Sequence, residues 1–239
     1  MIIMLKRFWQ VDSFRGIAII MMIAFHILYD LTYLRGIDFA ISSGFWFIFG
    51  RITAVMFLFL VGMSLSISYN RIRKTMDPDQ ITIKYIKRGV KIFALGLLIT
   101  VATWFTIPDA FIFFGVLHLI GVAIVLSRPL LSKTYLNLVL GLAIISVGLY
   151  LSPMLFPFEE LAVLGFQYAS LYTFDYFPIL PWFGVVLLGL FAGNMCKIYE
   201  KKPIESNNLI IKALSFLGRH SLIIYLLHQP ILIAIILLI

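Results

Sequence analysis

Apolar runs, each close to twenty residues long and parted by short polar clusters, set the pattern of this chain. An α-helix rises about 1.5 Å per residue, so about 20 apolar residues cross a hydrocarbon core about 30 Å thick. Seven segments meet that length: 14–35, 44–68, 89–107, 111–128, 134–152, 178–197 and 218–239. The segment 153–177, PMLFPFEELAVLGFQYASLYTFDYF, is aromatic but broken by Pro153, Pro157, Glu159 and Glu160. It reads as an outer loop with a short interfacial helix. The predicted fold is all-α, a polytopic transmembrane helix bundle of about seven spans, forming one domain over 1–239 with no long linker.

Composition agrees with that pattern. The 239 residues are 62% hydrophobic and 13% charged, with a mean hydropathy of +1.04. Soluble domains are about a quarter charged. A chain this apolar cannot cover itself with polar surface, so it is an integral membrane protein. The net charge of +8 is scattered between spans and forms no single patch, which argues against a nucleic-acid partner. With seven spans, 17 of the 19 Lys and Arg residues fall on one side. They are Lys6, Arg7 and Arg15, the cluster from Arg71 to Lys91, Arg128 and Lys133, and the group from Lys197 to Arg219. The positive-inside rule then puts the N-terminus in the cytoplasm and the C-terminus outside. Asp38, Asp109, Glu159, Glu160 and Asp175 fall on the outer side. Lys6 and Arg7 before an apolar run imitate a signal peptide, but the run is too long and no A-x-A site follows. The expected location is the cell membrane, multi-pass. Cys196 is the only cysteine, so no intrachain disulfide exists.

Against this background the polar groups inside the spans carry the functional signal, because an ionisable residue in a membrane is costly. The first span opens on VDSFRGIAIIMMIAFH, residues 11–26. Eleven residues separate Arg15 from His26, a net rotation of about 20° and a rise of about 16 Å. They share a face, one at the cytoplasmic edge and one near mid-membrane, and Asp30 continues that face. His118 and His228 lie at similar depth in their spans, with Arg128 and Arg219 at the cytoplasmic ends. The result is a basic mouth with a histidine layer about 15 Å beyond it.

Bland readings stand beside these. A membrane histidine also serves as an interhelical hydrogen-bond partner. The groups around His228, Gln229 and Pro230 can satisfy a helix that proline breaks. Arg51 can snorkel outward, and Gly189 with Gly193 reads as close helix packing. FRGIAII in span 1 and KRGVKIF in span 3 form a faint internal echo. A basic mouth suits a phosphorylated ligand, and buried histidines suit proton transfer or nucleophilic catalysis. Coenzyme A has that shape, with phosphates at one end and a thioester at the other. A proton-coupled transporter or exporter of a small anionic or sugar-like solute fits the same residues. A retinal photoreceptor does not, because 220–239 contains no lysine.

The first stretch, together with FFGVLHLIGVAIVL, DYFPILPWFGVVLLG and LGRHSLIIYLLHQPIL, taken in order across nearly the whole chain, resembles the heparan-α-glucosaminide N-acetyltransferase family, and its short prokaryotic DUF1624-type members above all. The resemblance implies a membrane acyltransferase. Acetyl-CoA would enter from the cytoplasm as co-substrate, with no metal, and the acetyl group would pass to an amino sugar or similar acceptor outside. Arg15, Arg88, Lys87 and Arg219 would hold the coenzyme A phosphates, with Asp12 orienting Arg15 or capping the helix. His26, His228, Asp30 and His118 are the catalytic candidates. Arg51, Asp175 and Trp182 are the candidate acceptor-binding residues. The expected partners are acetyl-CoA, the glycan or amino-sugar acceptor, the lipid bilayer and, as an open expectation, a second copy of the chain. The chain also departs from the family pattern. Lysosomal members align an asparagine with His26 and carry their catalytic histidine in the loop after this helix, whereas residues 27–117 here contain no histidine.

Overall fold

A computed structural model describes residues 8–200 and 207–238. Lys6, Arg7, Lys201 and Lys202, counted above for topology, lie outside the described residues. Among those described there are eight α-helices: α1 (Trp9–Arg35), α2 (Gly44–Ile72), α3 (Pro78–Thr106), α4 (Val116–Leu126), α5 (Thr134–Leu151), α6 (Ile179–Cys196), α7 (Leu209–Arg219) and α8 (Ser221–Leu238). Two short strands, β1 (Leu155–Phe156) and β2 (Gln167–Tyr168), pair in parallel. α1, α2, α3, α5, α6 and α8 are long and apolar enough to cross a membrane. The protein is an all-α polytopic membrane bundle.

Four local expectations change. The basic stretch 69–91 is not a loop. α2 runs on to Ile72, and α3 already starts at Pro78, with proline in its first turn and Asp77 at the N-cap position. Proline suits that position because its missing N–H would have no helical partner. Lys84, Lys87, Arg88 and Lys91 therefore project from a helix. The segment 111–128 is helical only over Val116–Leu126, about 16 Å of rise. The segment 218–239 is cut after Arg219 into an amphipathic α7 and an apolar α8. Within 153–177 the structure has a two-residue strand pair and a 3-10 turn over Ala162–Leu164 in place of an interfacial α-helix. Tyr176 anchors this loop by donating to the Ala162 carbonyl at 2.7 Å. Its hydroxyl stays protonated, its pKa pushed up to about 12 by burial and then by Tyr168.

The chain divides into two compact units, one of Met1–Leu60 with Lys201–Ile239 and one of Val61–Glu200. In the first unit α1 packs on α7 at backbone distance. A Cβ on Gly16 would run into the Leu214 carbonyl, and one on Gly218 into the Asp12 carbonyl. Such small-residue contacts suit a bilayer, where association rests on packing and interhelical hydrogen bonds. Ser13 and Ser215 add one such bond at 2.8 Å between buried hydroxyls. At the far end of α1, the Arg35 guanidinium donates to the Ile236 carbonyl of α8.

The second unit repeats the device. Gly89 faces the Gly121 carbonyl across α3 and α4, and Gly184 faces the Gly141 carbonyl across α5 and α6. Gly193, the second glycine of the GxxxG motif, lies against Ser66 of α2, so that glycine serves close packing. Ser66 donates to Asn194 Oδ1 at 2.6 Å, and Asn194 donates to the Leu131 carbonyl at 3.0 Å.

Candidate active site

α1 carries His26 and Asp30 one turn apart, and α8 carries His228 and Gln229. Packing of α1 on α8 brings all four together. The two imidazole centroids are 4.9 Å apart, at 63°. Gln229 Nε2 donates to Asp30 Oδ1 at 2.6 Å. Phe25 and Tyr29 flank the His26 ring at 6.0 and 6.3 Å. His228 and Asp30 are 8% and 4% exposed.

Hydrogen-bond accounting distinguishes this cluster. Buried polar groups nearly always find partners, because leaving one unmade costs about 1–3 kcal/mol. Here His26 Nδ1, His228 Nε2, Asp30 Oδ2 and Gln229 Oε1 are all buried and unpartnered. They make up four of the seven such side-chain atoms among the described residues, and all four lie on the facing turns of α1 and α8. Four buried polar atoms without partners thus lie together in one apolar place.

Arg15, Asp12 and Arg219, expected at the mouth, belong to the same unit. Arg15 pairs with the buried Asp12 at 3.0 Å and reaches the Gly218 carbonyl at 3.5 Å. Asp12 does not cap α1, since it sits in the fourth helical position and the N-cap residue is Phe8. Of the two roles expected for Asp12, orienting Arg15 is the one its geometry supports. Arg219 is exposed at the end of α7, and its Nε donates to the Ser215 carbonyl. Both guanidinium groups thus contact backbone carbonyls of α7. Lys87 and Arg88 lie exposed on α3, in the second unit.

His118 also lies in the second unit, and both its ring nitrogens are engaged. Nδ1 accepts from the Gly115 N–H at 3.1 Å. Nε2 lies 3.2 Å from Thr100 Oγ1, which donates to the Ile112 carbonyl at 2.6 Å. The only assignment consistent with these bonds is a neutral ring protonated at Nε2. Phe114 stacks on the ring, and Phe93 meets it edge-on. Asp175 supports the same corner by accepting the Val116 N–H at the start of α4, at 3.1 Å, where a carboxylate complements the helix dipole. Trp182 is buried against Phe177. Asp175 and Trp182 both lie in the second unit. Arg51 lies exposed on α2, over the Phe47 ring at 5.1 Å.

Sequence reasoning treated Gln229 only as a group that could satisfy a broken helix, and it passed over Thr100 and Tyr225. The available signal for Gln229 was its polarity beside His228 in an apolar run. No such signal singles out Thr100, because threonine is ordinary in a membrane helix.

The catalytic-domain model of the heparan-alpha-glucosaminide N-acetyltransferase family matches residues 7–230. This chain belongs to that family. Neither a curated protein nor a solved structure was found to match it. The family match covers both compact units and includes every residue of the α1–α8 cluster. Membership makes the chain a membrane-embedded acetyltransferase.

Proposed function

We propose that the protein takes an acetyl group from acetyl-CoA on the cytoplasmic side of the cell membrane. It passes that group to an amine or hydroxyl of an amino sugar or similar acceptor on the other side. The observation that carries this reading is the group of four unpartnered polar atoms between α1 and α8, in a chain of an acetyltransferase family. Arg15 and Arg219, both in the first unit, would hold the phosphates. The rise from Arg15 to His26, about 16 Å, suits a long thin ligand with its reactive end at the histidines. The positive-inside count supports a cytoplasmic mouth. There the histidine pair supplies the proton acceptor, and Asp30 with Gln229 offers acceptor oxygens to the incoming amine or hydroxyl.

The test is acetyl-CoA binding to the purified protein, followed by transfer of labelled acetyl to an amino-sugar acceptor. Saturable binding with transfer supports the proposal. Lack of binding at millimolar acetyl-CoA would sink it and favour a proton-coupled transporter, for which the same histidines would form a relay.

A further inference from the structure

The two histidines of the cluster are not equivalent. His228 Nδ1 lies 2.6 Å from the Tyr225 carbonyl oxygen. A carbonyl oxygen only accepts, so Nδ1 carries the hydrogen and donates it. In a neutral imidazole the lone pair then belongs to Nε2. That atom is buried and unpartnered, and its ring faces the His26 ring. The carbonyl that fixes the tautomer is on the same helix, one turn back. It is not the Leu226 carbonyl, which Pro230 leaves without its usual N–H. Gln229, the next residue, is tied to Asp30 on α1, which fixes this turn of α8 against the other half of the site. His26 has no such orienting bond, and its Nδ1 is itself unpartnered.

We infer that His228, through Nε2, is the group that removes the proton from the acceptor. The inference rests on the acetyl-transfer reading given above. In the step, the acceptor nitrogen or oxygen forms a bond to the acetyl carbonyl carbon as the carbon–sulfur bond breaks. The electron pair of that bond leaves with sulfur as the coenzyme A thiolate. The proton lost by the acceptor goes to His228 Nε2, and from there it neutralises the thiolate. Nδ1–H bonded to a carbonyl, with the lone pair left on an unpartnered Nε2, is the arrangement that orients a histidine base. The Gln229–Asp30 bond ties the turn of α8 that carries His228 to α1.

Two measurements test this. In the first, nitrogen NMR on histidine-labelled wild-type protein reads the tautomer of each ring. His228 is expected as the Nδ1–H form, and an Nε2–H form overturns the inference whatever the activity. In the second, His228→Ala is assayed for acetyl transfer and for acetyl-CoA binding, with and without added imidazole. Transfer is expected to fall about 10²–10⁴-fold with binding retained, and imidazole should restore part of the rate. Turnover within a few-fold of wild type overturns the inference, as does rescue of His26→Ala but not of His228→Ala. If His228→Ala loses acetyl-CoA binding and fails to fold, the wild-type tautomer decides. Wild-type protein that transfers no acetyl group at all overturns the acetyl-transfer reading and this inference with it.

Discussion

The chain places histidines in two kinds of apolar surroundings. On α4, His118 has both ring nitrogens matched by Gly115 and Thr100 and an aromatic ring stacked on its face. On α1 and α8, the His26 and His228 rings meet edge-on, with His26 Nδ1 and His228 Nε2 buried and unmatched. By sequence the three are alike, since each sits at similar depth with an arginine toward the cytoplasmic end. The difference lies in what the neighbouring backbone offers. At His118 the chain just before α4 leaves an N–H and a carbonyl for the ring and for Thr100 to bind, so both ring nitrogens are matched within the fold. At the α1–α8 pair the surrounding turns are helical, and apart from the Leu226 carbonyl that Pro230 leaves without its N–H they bond within their own helix. The Tyr225 carbonyl is shared with His228 Nδ1, while His26 Nδ1, His228 Nε2, Asp30 Oδ2 and Gln229 Oε1 stay unpartnered.

The largest effect that would sharpen this contrast is expected from His26→Ala. Acetyl transfer should fall about 10²–10⁴-fold, while acetyl-CoA binding stays close to wild type because Arg15 lies about 16 Å away along α1. Trapping labelled acetyl on the His26 peptide in the absence of acceptor would make His26 a nucleophile; unlabelled peptide would leave it a neighbour of the base. Next, Arg15→Ala removes a charge-assisted contact of about 1.5–3 kcal/mol, or about 10–150-fold in affinity. Titration calorimetry should show coenzyme A weakened more than a simple thioester that lacks the phosphates. Equal loss for both ligands would assign Arg15 to folding through Asp12 and Gly218. A smaller effect, about tenfold, is expected from Asp30→Asn, read as a raised KM for the acceptor at unchanged acetyl-CoA binding. No change in acceptor KM would remove Asp30 from the acceptor subsite. The smallest effect on chemistry is expected from His118→Ala. It should lower stability by about 1–3 kcal/mol, through the orphaned Gly115 N–H and Thr100, and leave turnover per folded molecule within a few-fold. A dead but fully stable His118→Ala would erase the distinction between the two regions.

The long helices were legible because a run of twenty apolar residues has few other fates in a bilayer. Their ends were less so. Lys84, Lys87, Arg88 and Lys91 suggested a loop by charge, yet lysine and arginine are good helix formers, and Asp77–Pro78 gave a start signal that polarity masked. Phe111–Gly115 is as apolar as the helix after it. Only hydrogen bonds from distant residues hold it out of the helix, with Thr103 receiving the Ile112 N–H and Thr173 donating to the Phe111 carbonyl. The Arg15–His26–Asp30 face could be read from helical spacing alone, since all three are on one element. The partnership of Asp30 with Gln229 joins positions 199 residues apart, and no local pattern announces it. For the same reason no local pattern announces that the Asp175 carboxylate accepts the first N–H of α4.

The central claim is that acetyl transfer runs between α1 and α8 and not at His118. The most direct measurement is the rate of labelled acetyl transfer from acetyl-CoA by wild type, His26→Ala and His118→Ala, each normalised to folded protein. The account predicts transfer by wild type and by His118→Ala, and a loss of at least about 10²-fold in His26→Ala. Near-normal transfer by His26→Ala together with loss in a folded His118→Ala would contradict it.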